Sequence, residues 1–246
     1  MANFWKVVNK VIRDADVLLL VLDARMVEET RHAELEAKVR REGKPLIYVV
    51  SKADLVQKEK AERYKRVLHP CVFISATKHL GTTLLRNRIL IEAKKRGLEK
   101  VKVGVLGYPN VGKSSLINAL KGRKAASTSI LSGHTKGVQK IKADRRIILL
   151  DTPGVIPYKE NTSLKHAFIG TLDFTKVKEP DVVVGKLMER FPGTIESWYE
   201  VSPDEDPENV LEAIARKRNV LKRGNVPDTQ RMATMILKDW QKGTIR

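Results

Sequence analysis

The chain has little of what marks a secreted, disulfide-stabilised or membrane-spanning protein. Its 246 residues include one cysteine, Cys71, so an internal disulfide is excluded. No apolar run approaches the roughly eighteen residues of a membrane-spanning helix, and the longest, residues 17–22, has the length of a strand. Residues 1–6 lack the apolar core of a signal peptide. We therefore expect a cytoplasmic protein that does not enter a membrane.

Acidic residues are scarce relative to basic ones. The sequence contains 29 Asp and Glu against 47 Lys and Arg, which gives a net charge of +18 at pH 7. Such an excess indicates a polyanionic partner, and nucleic acid is favoured over a membrane surface because no anchoring amphipathic helix is evident. Solubility or a high-temperature source is the alternative explanation. The excess is concentrated in residues 121–146 and 210–246.

One stretch carries a phosphate-binding signature. Residues 107–115 read Gly-Tyr-Pro-Asn-Val-Gly-Lys-Ser-Ser and satisfy the pattern G-x-x-x-x-G-K-[ST]. An apolar strand pattern precedes them and a helical pattern follows, which is the context that the motif requires. In such a loop, successive N–H groups and the helix N-terminus converge on an anion. The motif predicts that Lys113 contacts the β- and γ-phosphates and that the Ser114 hydroxyl ligates Mg²⁺; a plain glycine-rich turn is the alternative.

Apolar runs alternate with helical patterns over the first two thirds of the chain. This alternation predicts a doubly wound α/β domain, in which ligands bind at the carboxyl ends of the strands. From about residue 176 the apolar density falls, and helical patterns follow at about 179–190, 207–224 and 228–243, with a loop-rich stretch at 192–207. We therefore assign residues 1–175 to an α/β domain and residues 176–246 to a small all-α domain.

Two strand ends carry candidate base-reading segments. Residues 51–54, Ser-Lys-Ala-Asp, follow the second strand, and their pattern is typical of a guanine-specificity motif. The Asp54 carboxylate would accept hydrogen bonds from the guanine ring N–H and amino group, a donor pattern that adenine lacks, while the Lys52 stem would cover the base. A strand-end turn explains so short a motif equally well. Residues 75–77, Ser-Ala-Thr, follow the third strand and can offer a backbone N–H to the guanine oxygen.

The last strand ends in a segment that suits the γ-phosphate. Residues 151–154 read Asp-Thr-Pro-Gly, so that Asp151 can enter the Mg²⁺ shell and the Gly154 N–H can approach the phosphate. Thr135, in the polar loop before this strand, is the candidate for a second Mg²⁺ ligand. The next residue, Val155, can neither donate nor accept a hydrogen bond, whereas GTPases that orient water with a glutamine place it there. We therefore expect slow turnover by the isolated protein.

Together these motifs resemble a translation-factor-type GTPase whose motif order is circularly permuted, because the base-reading segments precede the phosphate loop. The whole chain is similar to the circularly permuted GTPases of the YlqF/YawG type, which act in large ribosomal subunit assembly. The resemblance implies a P-loop GTPase fold, GTP and GDP as ligands, Mg²⁺ as cofactor, and hydrolysis stimulated by ribosomal particles. It also implies the large subunit and its rRNA as partners of a monomer. Two departures are Ser51, where the family usually has Asn, and the lack in residues 1–16 of the bacterial members' histidine.

The resemblance also implies a set of site residues. The candidate catalytic residues are Lys113, Thr135 and Gly154. The candidate nucleotide-binding residues are Ser51, Lys52, Asp54, Ser75, Ala76, Asn110, Val111, Gly112, Lys113, Ser114, Ser115 and Gly154. The candidate Mg²⁺ ligands are Ser114, Thr135 and Asp151. Asn110 stands where potassium-dependent members of the wider class place a cation-ligating Asn, and a loop-bracing role is the alternative.

The C-terminal part resembles the RNA-binding helical domain of the same family over residues 214–228. Its candidate RNA-binding residues are Arg216, Lys217, Arg218, Lys222 and Arg223. These cations lie around one predicted helix terminus, so the alternative is that they offset the helix dipole.

Two other functions remain open at the level of sequence. One is a P-loop ATPase or phosphotransferase, which nucleotide competition would separate from a GTPase. The other is an RNA-binding scaffold in which the nucleotide is regulatory or structural, which absence of turnover even with ribosomal particles would favour.

Overall fold

The computed structural model of the chain describes residues 2–121, 139–151, 163–170 and 172–245. The chain separates into two compact units, Met1–Lys159 and Glu160–Arg246. The division between the units precedes the boundary at residues 175 and 176 that composition suggests. The functional assignment of 1–175 and 176–246 to separate domains stays a prediction.

The first unit is a six-stranded sheet with helices in the connections. Its described helices are α1 (Ala2–Asp14), α2 (Val27–Thr30), α3 (Ala33–Arg41), α4 (Lys58–Val67), α5 (Thr82–Lys95) and α6 (Lys113–Lys121). Its strands are β1 (Val17–Asp23), β2 (Leu46–Ser51), β3 (Cys71–Phe73), β4 (Val101–Leu106), β5 (Gln139–Lys142) and β6 (Ile147–Asp151). The strand order is β3-β2-β1-β4-β6-β5, and every pairing is parallel except that of β5 with β6. The predicted doubly wound α/β fold is confirmed.

Strand β1 lies at the centre of the core. All seven of its residues are buried, which explains the uninterrupted apolar run in the sequence. Its residue Asp23 lies beside Ser51 at the end of β2, and Leu20 lies beside Leu106 at the end of β4. The carboxyl ends of the three strands therefore meet at one edge of the sheet, where the sequence motifs follow them.

The connection between β1 and β2 contains two helices rather than one. Arg31 is extended (φ −71°, ψ 154°) and separates α2 from α3. The side chain of His32 caps α3, because its Nδ1 accepts a hydrogen bond from Leu35 N at 3.1 Å. Thr30 closes α2 by donating from Oγ1 to Met26 O at 2.6 Å. Local capping bonds thus override a continuous helical pattern.

The second unit is helical apart from one small hairpin. Its helices are α7 (Ser163–Phe168), α8 (Pro180–Arg190), α9 (Thr194–Tyr199), α10 (Pro207–Lys217) and α11 (Thr229–Lys242). The strands β7 (Leu221–Lys222) and β8 (Val226–Pro227) pair antiparallel between α10 and α11.

Two local expectations for the second unit are wrong. The stretch expected to be loop-rich contains α9, which forms because Ile195 and Tyr199, one turn apart, are both buried. The helix expected to continue to Gly224 ends at Lys217, since Asn219 (φ 55°) and Gly224 (φ 82°) adopt left-handed backbone angles that end helices and close hairpins.

The structure bears on two features noted in the sequence, the lack of a membrane-spanning run and the single cysteine. No helix within the described residues is long and apolar enough to cross a membrane. Cys71 is partly exposed on β3, and burial raises the pKa of its thiol to about 11, so the thiolate is scarce at neutral pH.

Gly104 in β4 allows α1 to pack directly onto the sheet, and this contact makes a testable prediction. A Cβ at this position would lie 2.7 Å from Val11 Cγ1 and 2.7 Å from Leu18 Cδ2, closer than the core can accept without moving. We expect Gly104→Ala to lower the free energy of unfolding by about 1–3 kcal/mol, measured by urea denaturation.

Gly185→Ala is the matched control. Gly185 lies within α8, and its added Cβ would make an ordinary contact of 3.5 Å with Pro207 Cβ. Because Ala favours a helix over Gly by about 1 kcal/mol, this variant should be as stable as the parent chain or more stable. Equal stability of Gly104→Ala and the parent chain would contradict the packing at Gly104.

Candidate nucleotide-binding site

The phosphate loop joins the end of β4 to the start of α6. Its backbone has positive φ at Gly107 (140°), Asn110 (59°) and Gly112 (101°). A Cβ on Gly107 would lie 2.6 Å from Val21 O of the neighbouring strand, so only glycine fits there. The two glycines that the motif specifies therefore serve a left-handed backbone and, at Gly107, a close approach to β1.

Lys113 is folded into this loop. Its ammonium donates a hydrogen bond to Gly107 O at 2.8 Å and another to Tyr108 O. Burial lowers the pKa of Lys113 to about 8, and the charge of Asp151 opposes that shift. Burial disfavours the charged form of this amine, and the two backbone carbonyls and the Asp151 carboxylate offset that only in part. A bound phosphate would add the negative charge that stabilises the ammonium. Lys113 thus fits the phosphate-binding role that the motif predicts.

Ser51 connects the base-reading segment to the phosphate loop. Its side chain is buried, and Oγ lies 2.9 Å from Leu22 O and within hydrogen-bond distance of Val111 O. A hydroxyl has one proton, so Ser51 donates to one of these carbonyls at a time. The residue that departs from the usual Asn of the family therefore still reaches the loop, from a position sixty residues away in the chain.

The two candidate base-reading segments lie against each other. Ala53 N donates to Ile74 O at 3.0 Å, and Thr77 Oγ1 donates to Asp54 Oδ2 at 3.5 Å. Ser75 Oγ accepts from Lys78 N at 3.1 Å and so shapes the second segment into a turn. Adjacent strands β2 and β3 thus bring together the residues that the sequence assigns to one base.

A buried ionic cluster beside the loop carries no recognised sequence motif. Asp23 at the end of β1 forms a two-point ion pair with Arg25, with Nε 3.1 Å from Oδ1 and Nη2 2.9 Å from Oδ2. The Lys52 ammonium also lies 2.9 Å from Asp23 Oδ2. Burial by itself would raise the pKa of Asp23, but the charges of Arg25 and Lys52 outweigh it and hold the pKa well below its usual range.

This cluster determines where the Lys52 stem lies. Lys52 has left-handed backbone angles (φ 54°, ψ 34°), and its side chain is held through Asp23 rather than extended into solvent. The sequence did contain a signal for this cluster. The charged residues Asp23 and Arg25 follow directly after the apolar run of residues 17–22. Charged residues at the carboxyl end of such a strand belong to the edge where ligands bind.

Aromatic contacts hold the outer part of the loop. Tyr108, a variable position of the motif, is buried, and its ring centroid lies 6.1 Å from that of His32. The His32 ring in turn meets Trp5 of α1 edge-on at 6.0 Å. The loop is therefore fixed to α1 and to the start of α3 as well as to the sheet.

The remaining candidate site residues fall into two groups. Ser114 and Ser115 are exposed in the first turn of α6, Asn110 is exposed in the loop, and Asp151 ends β6 beside Val105. Thr135 and Gly154, like Val155, lie outside the described residues. Within the described ranges, no group of three or more His, Cys, Asp and Glu side chains could hold a metal ion by itself.

The candidate RNA-binding cations mostly contact their own chain. The contacts are Arg216 with Glu212 at 4.0 Å, Lys217 with Glu200 at 2.9 Å, Arg218 over the Tyr199 ring at 5.0 Å, and Lys222 with Asp228 at 3.7 Å. Arg223 forms no ion pair with a described residue. Their role in RNA binding stays a prediction, and these pairs give four of them a structural role as well.

The fold and this edge of the sheet define a P-loop nucleotide-binding protein whose candidate base-reading segments precede its phosphate loop. The family described as RsgA GTPase matches residues 8–159, and the family described as 50S ribosome-binding GTPase matches residues 102–217. The chain therefore belongs to the circularly permuted GTPases, as the motif order predicts.

Relatives of known sequence match along nearly the whole chain. A GTP-binding protein of Methanocaldococcus jannaschii is 42% identical over 245 residues, which cover 98% of this chain and 65% of that protein. Nucleolar GTP-binding protein 2 of Neurospora crassa is 35% identical over 256 residues, covering 99% of this chain and 41% of that protein. The chain thus spans less than two thirds of the length of these relatives.

A solved structure shares the fold. GNP-bound YlqF from T. maritima superposes with a TM-score of 0.66 at 21% identity, covering 98% of this chain and 94% of that one. At this identity the likeness concerns the fold alone.

The lowered pKa of Lys113 predicts proton uptake on nucleotide binding. With a pKa of about 8 in the free protein, Lys113 is mostly neutral at pH 8.5, and a bound phosphate would raise its pKa. GDP affinity should therefore fall as the pH rises above 8. Calorimetry at pH 8.5 in buffers of different ionisation enthalpy should show net proton uptake when GDP binds.

Lys113→Arg provides the control because its guanidinium stays charged at this pH. This variant should take up no proton through residue 113, even if GDP binds more weakly. The same uptake in both proteins would assign the proton to another group.

Proposed function

We propose that the chain binds GTP and GDP, hydrolyses GTP to GDP and phosphate, and assists assembly of the large ribosomal subunit while bound to its rRNA. The observation that carries the proposal is the placement of Lys113, Ser51 and Asp54 at the carboxyl ends of β2 and β4, which flank β1, with Ser51 in contact with the phosphate loop. A phosphate-binding loop alone accepts many nucleotides, whereas a carboxylate held beside it selects the base. The names of the relatives, which include nucleolar GTP-binding proteins, support guanine as that base.

Lys113, Asp54 and Lys52 would each contact a different part of the bound nucleotide. Lys113 exchanges its bonds to Gly107 O and Tyr108 O for phosphate oxygens, while the loop N–H groups and the start of α6 bind the remaining charge. Asp54 accepts from the guanine ring N–H and amino group. The Lys52 stem lies against the base, since Asp23 holds its ammonium.

The cations are part of the proposal. Ser114 and Asp151 would hold Mg²⁺ together with the nucleotide phosphates, with Thr135 joining when the γ-phosphate is present. Mg²⁺ would neutralise charge that develops on the phosphates during transfer. Asn110 is exposed in the loop and has a left-handed backbone, and it would ligate K⁺. The bound K⁺ would supply positive charge that Val155 cannot. Gly154 would donate its N–H to the γ-phosphate.

The macromolecular partner is proposed from charge and from relatives. The net charge of +18 suits rRNA, and one matching family is described as a 50S ribosome-binding GTPase. Residues 176–246 would bind RNA through the hairpin and the end of α10, where Lys222 and Arg223 lie. We propose a cytoplasmic monomer that joins the large subunit when GTP is bound.

Exchange of one carboxylate for an amide tests the base assignment. Asp54→Asn replaces an acceptor with a donor, so affinity for GTP should fall while affinity for xanthosine triphosphate rises, because xanthine has an oxygen where guanine has its amino group. Competition against a fluorescent nucleotide measures both. Glu62→Gln, on the exposed face of α4, is the control and should leave the preference for GTP unchanged. Unchanged GTP affinity in Asp54→Asn would remove Asp54 from the base site.

Hydrolysis measured with and without large ribosomal subunits tests the proposed activity. We expect slow turnover alone, stimulation by the particles, and faster rates in potassium than in sodium salts. Asn110→Ala should lose the difference between the two salts while retaining binding of GDP. ATP turnover equal to that of GTP would favour a P-loop ATPase, and no turnover even with particles would favour a scaffold in which the nucleotide is structural.

A further inference from the structure

A second basic surface lies at the amino-terminal ends of β4 and β6. The end of α5, the connection to β4 and the loop between β5 and β6 surround a groove of about 950 Å³. In a parallel sheet these strand ends are opposite the edge that carries the nucleotide site. The groove is formed entirely by the first unit and shares no residue with the phosphate loop.

The rim of this groove is basic and exposed. Its cations are Lys94, Lys100, Arg145 and Arg146. None of the four forms an ion pair with a residue in the described ranges, and the one acid lining the groove is Glu99. Unpaired cations around a concave surface leave a positive potential that attracts a polyanionic partner.

The cations project from a fixed backbone. The loop between β5 and β6 is closed by Asp144, whose Oδ1 accepts from Arg146 N at 2.7 Å and from Ile147 N at 2.9 Å. The other carboxylate oxygen of Asp144 pairs with Arg86 of α5 at 2.9 Å, which ties the loop to that helix. The loop that carries Arg145 and Arg146 is therefore held in place by hydrogen bonds before any partner binds.

The floor of the groove is apolar. Leu90 and Ile91 of α5 and Leu98 of the following connection line it, and Ile91 is 48% exposed. An apolar floor beneath a basic rim differs from a simple charged patch, because it offers a surface for flat, weakly polar groups. Nucleobases present flat, weakly polar faces with their polar atoms on the edges, and arginine guanidinium planes also stack on bases.

We propose that this groove binds a single-stranded segment of RNA, with phosphates on the basic rim and one or two bases over the Leu90, Ile91 and Leu98 floor. A duplex would present its phosphates to the rim but could not place bases in the groove. The proposal rests on the RNA partner proposed above and adds a contact separate from residues 216–223. There, four of five cations already have partners within the chain, whereas here none of the four has an ion-pair partner among the described residues.

The test uses the full chain saturated with a non-hydrolysable GTP analogue and a fluorescent mixed-sequence RNA, single-stranded or as the matching duplex. Anisotropy over a range of potassium chloride concentrations gives the slope of log affinity against log salt. Lys100→Ala with Arg145→Ala should make the single-strand slope shallower by about 1.4, or about 0.7 for each lost phosphate contact. Ile91→Ser should weaken binding of the single strand, leave the slope unchanged, and leave duplex binding unaffected.

Lys58→Ala with Arg66→Ala is the matched control, because it removes the same charge from exposed positions on α4. This helix connects β2 to β3, the outermost strand on the opposite side of the sheet from β5. It should change the slope little, and all variants should bind GDP like the parent chain. Equal changes in the groove and control variants would overturn the proposal and indicate a general charge effect. Preference for the duplex, or binding of an acidic peptide in place of RNA, would also overturn it.

The C-terminal cations separate this proposal from the proposed function. If the double variant Lys222→Ala with Arg223→Ala makes the slope shallower and the groove variant does not, the groove proposal fails and the RNA partner stands. If the parent chain binds no RNA, both RNA proposals fail, and stimulation of GTP hydrolysis by large subunits still tests the remainder of the function.

Discussion

The parallel pairing of β1 with β2 on one side and β4 on the other is the constraint on which the site depends. It places Ser51 beside Asp23 and Leu106 beside Leu20, so the base-reading segment and the phosphate loop emerge at one edge. Strand adjacency, rather than order along the chain, decides which segments meet. A permuted order of motifs therefore preserves the site, because permutation moves the connections and leaves the strand neighbours in place.

Short side chains then join these strand ends into one rigid unit. The Ser51 hydroxyl reaches the phosphate loop, and Asp23 holds both Arg25 and Lys52 in a buried cluster. Removal of the Asp23 carboxylate would leave the charges of Arg25 and Lys52 without compensation, which costs about 3–5 kcal/mol in measured cases. The cluster thus confines Lys52 to one position, and it couples the end of β1 to the base-reading segment.

The excess of basic residues is organised differently in the two units. In the C-terminal unit the candidate RNA-binding cations are mostly engaged by Glu200, Glu212, Asp228 and the Tyr199 ring. In the first unit, the rim at Lys94, Lys100, Arg145 and Arg146 has no such partners within the described residues. The net charge alone indicates a polyanionic partner. The ion pairs of the individual cations show which surface carries positive charge that the protein itself does not neutralise.

The sequence by itself determined the alternation of strands and helices in the first unit, the phosphate loop and the strand ends at which the motifs lie. Those features follow from local periodicity and from residues such as Gly107 and Gly112, whose backbone angles are set within a short segment. The tertiary structure decided the Asp23 cluster, the Ser51 bond to Val111 and the packing of Tyr108 on His32. Each of these depends on strand register, burial or backbone contacts between distant segments, and such contacts have no period in the sequence.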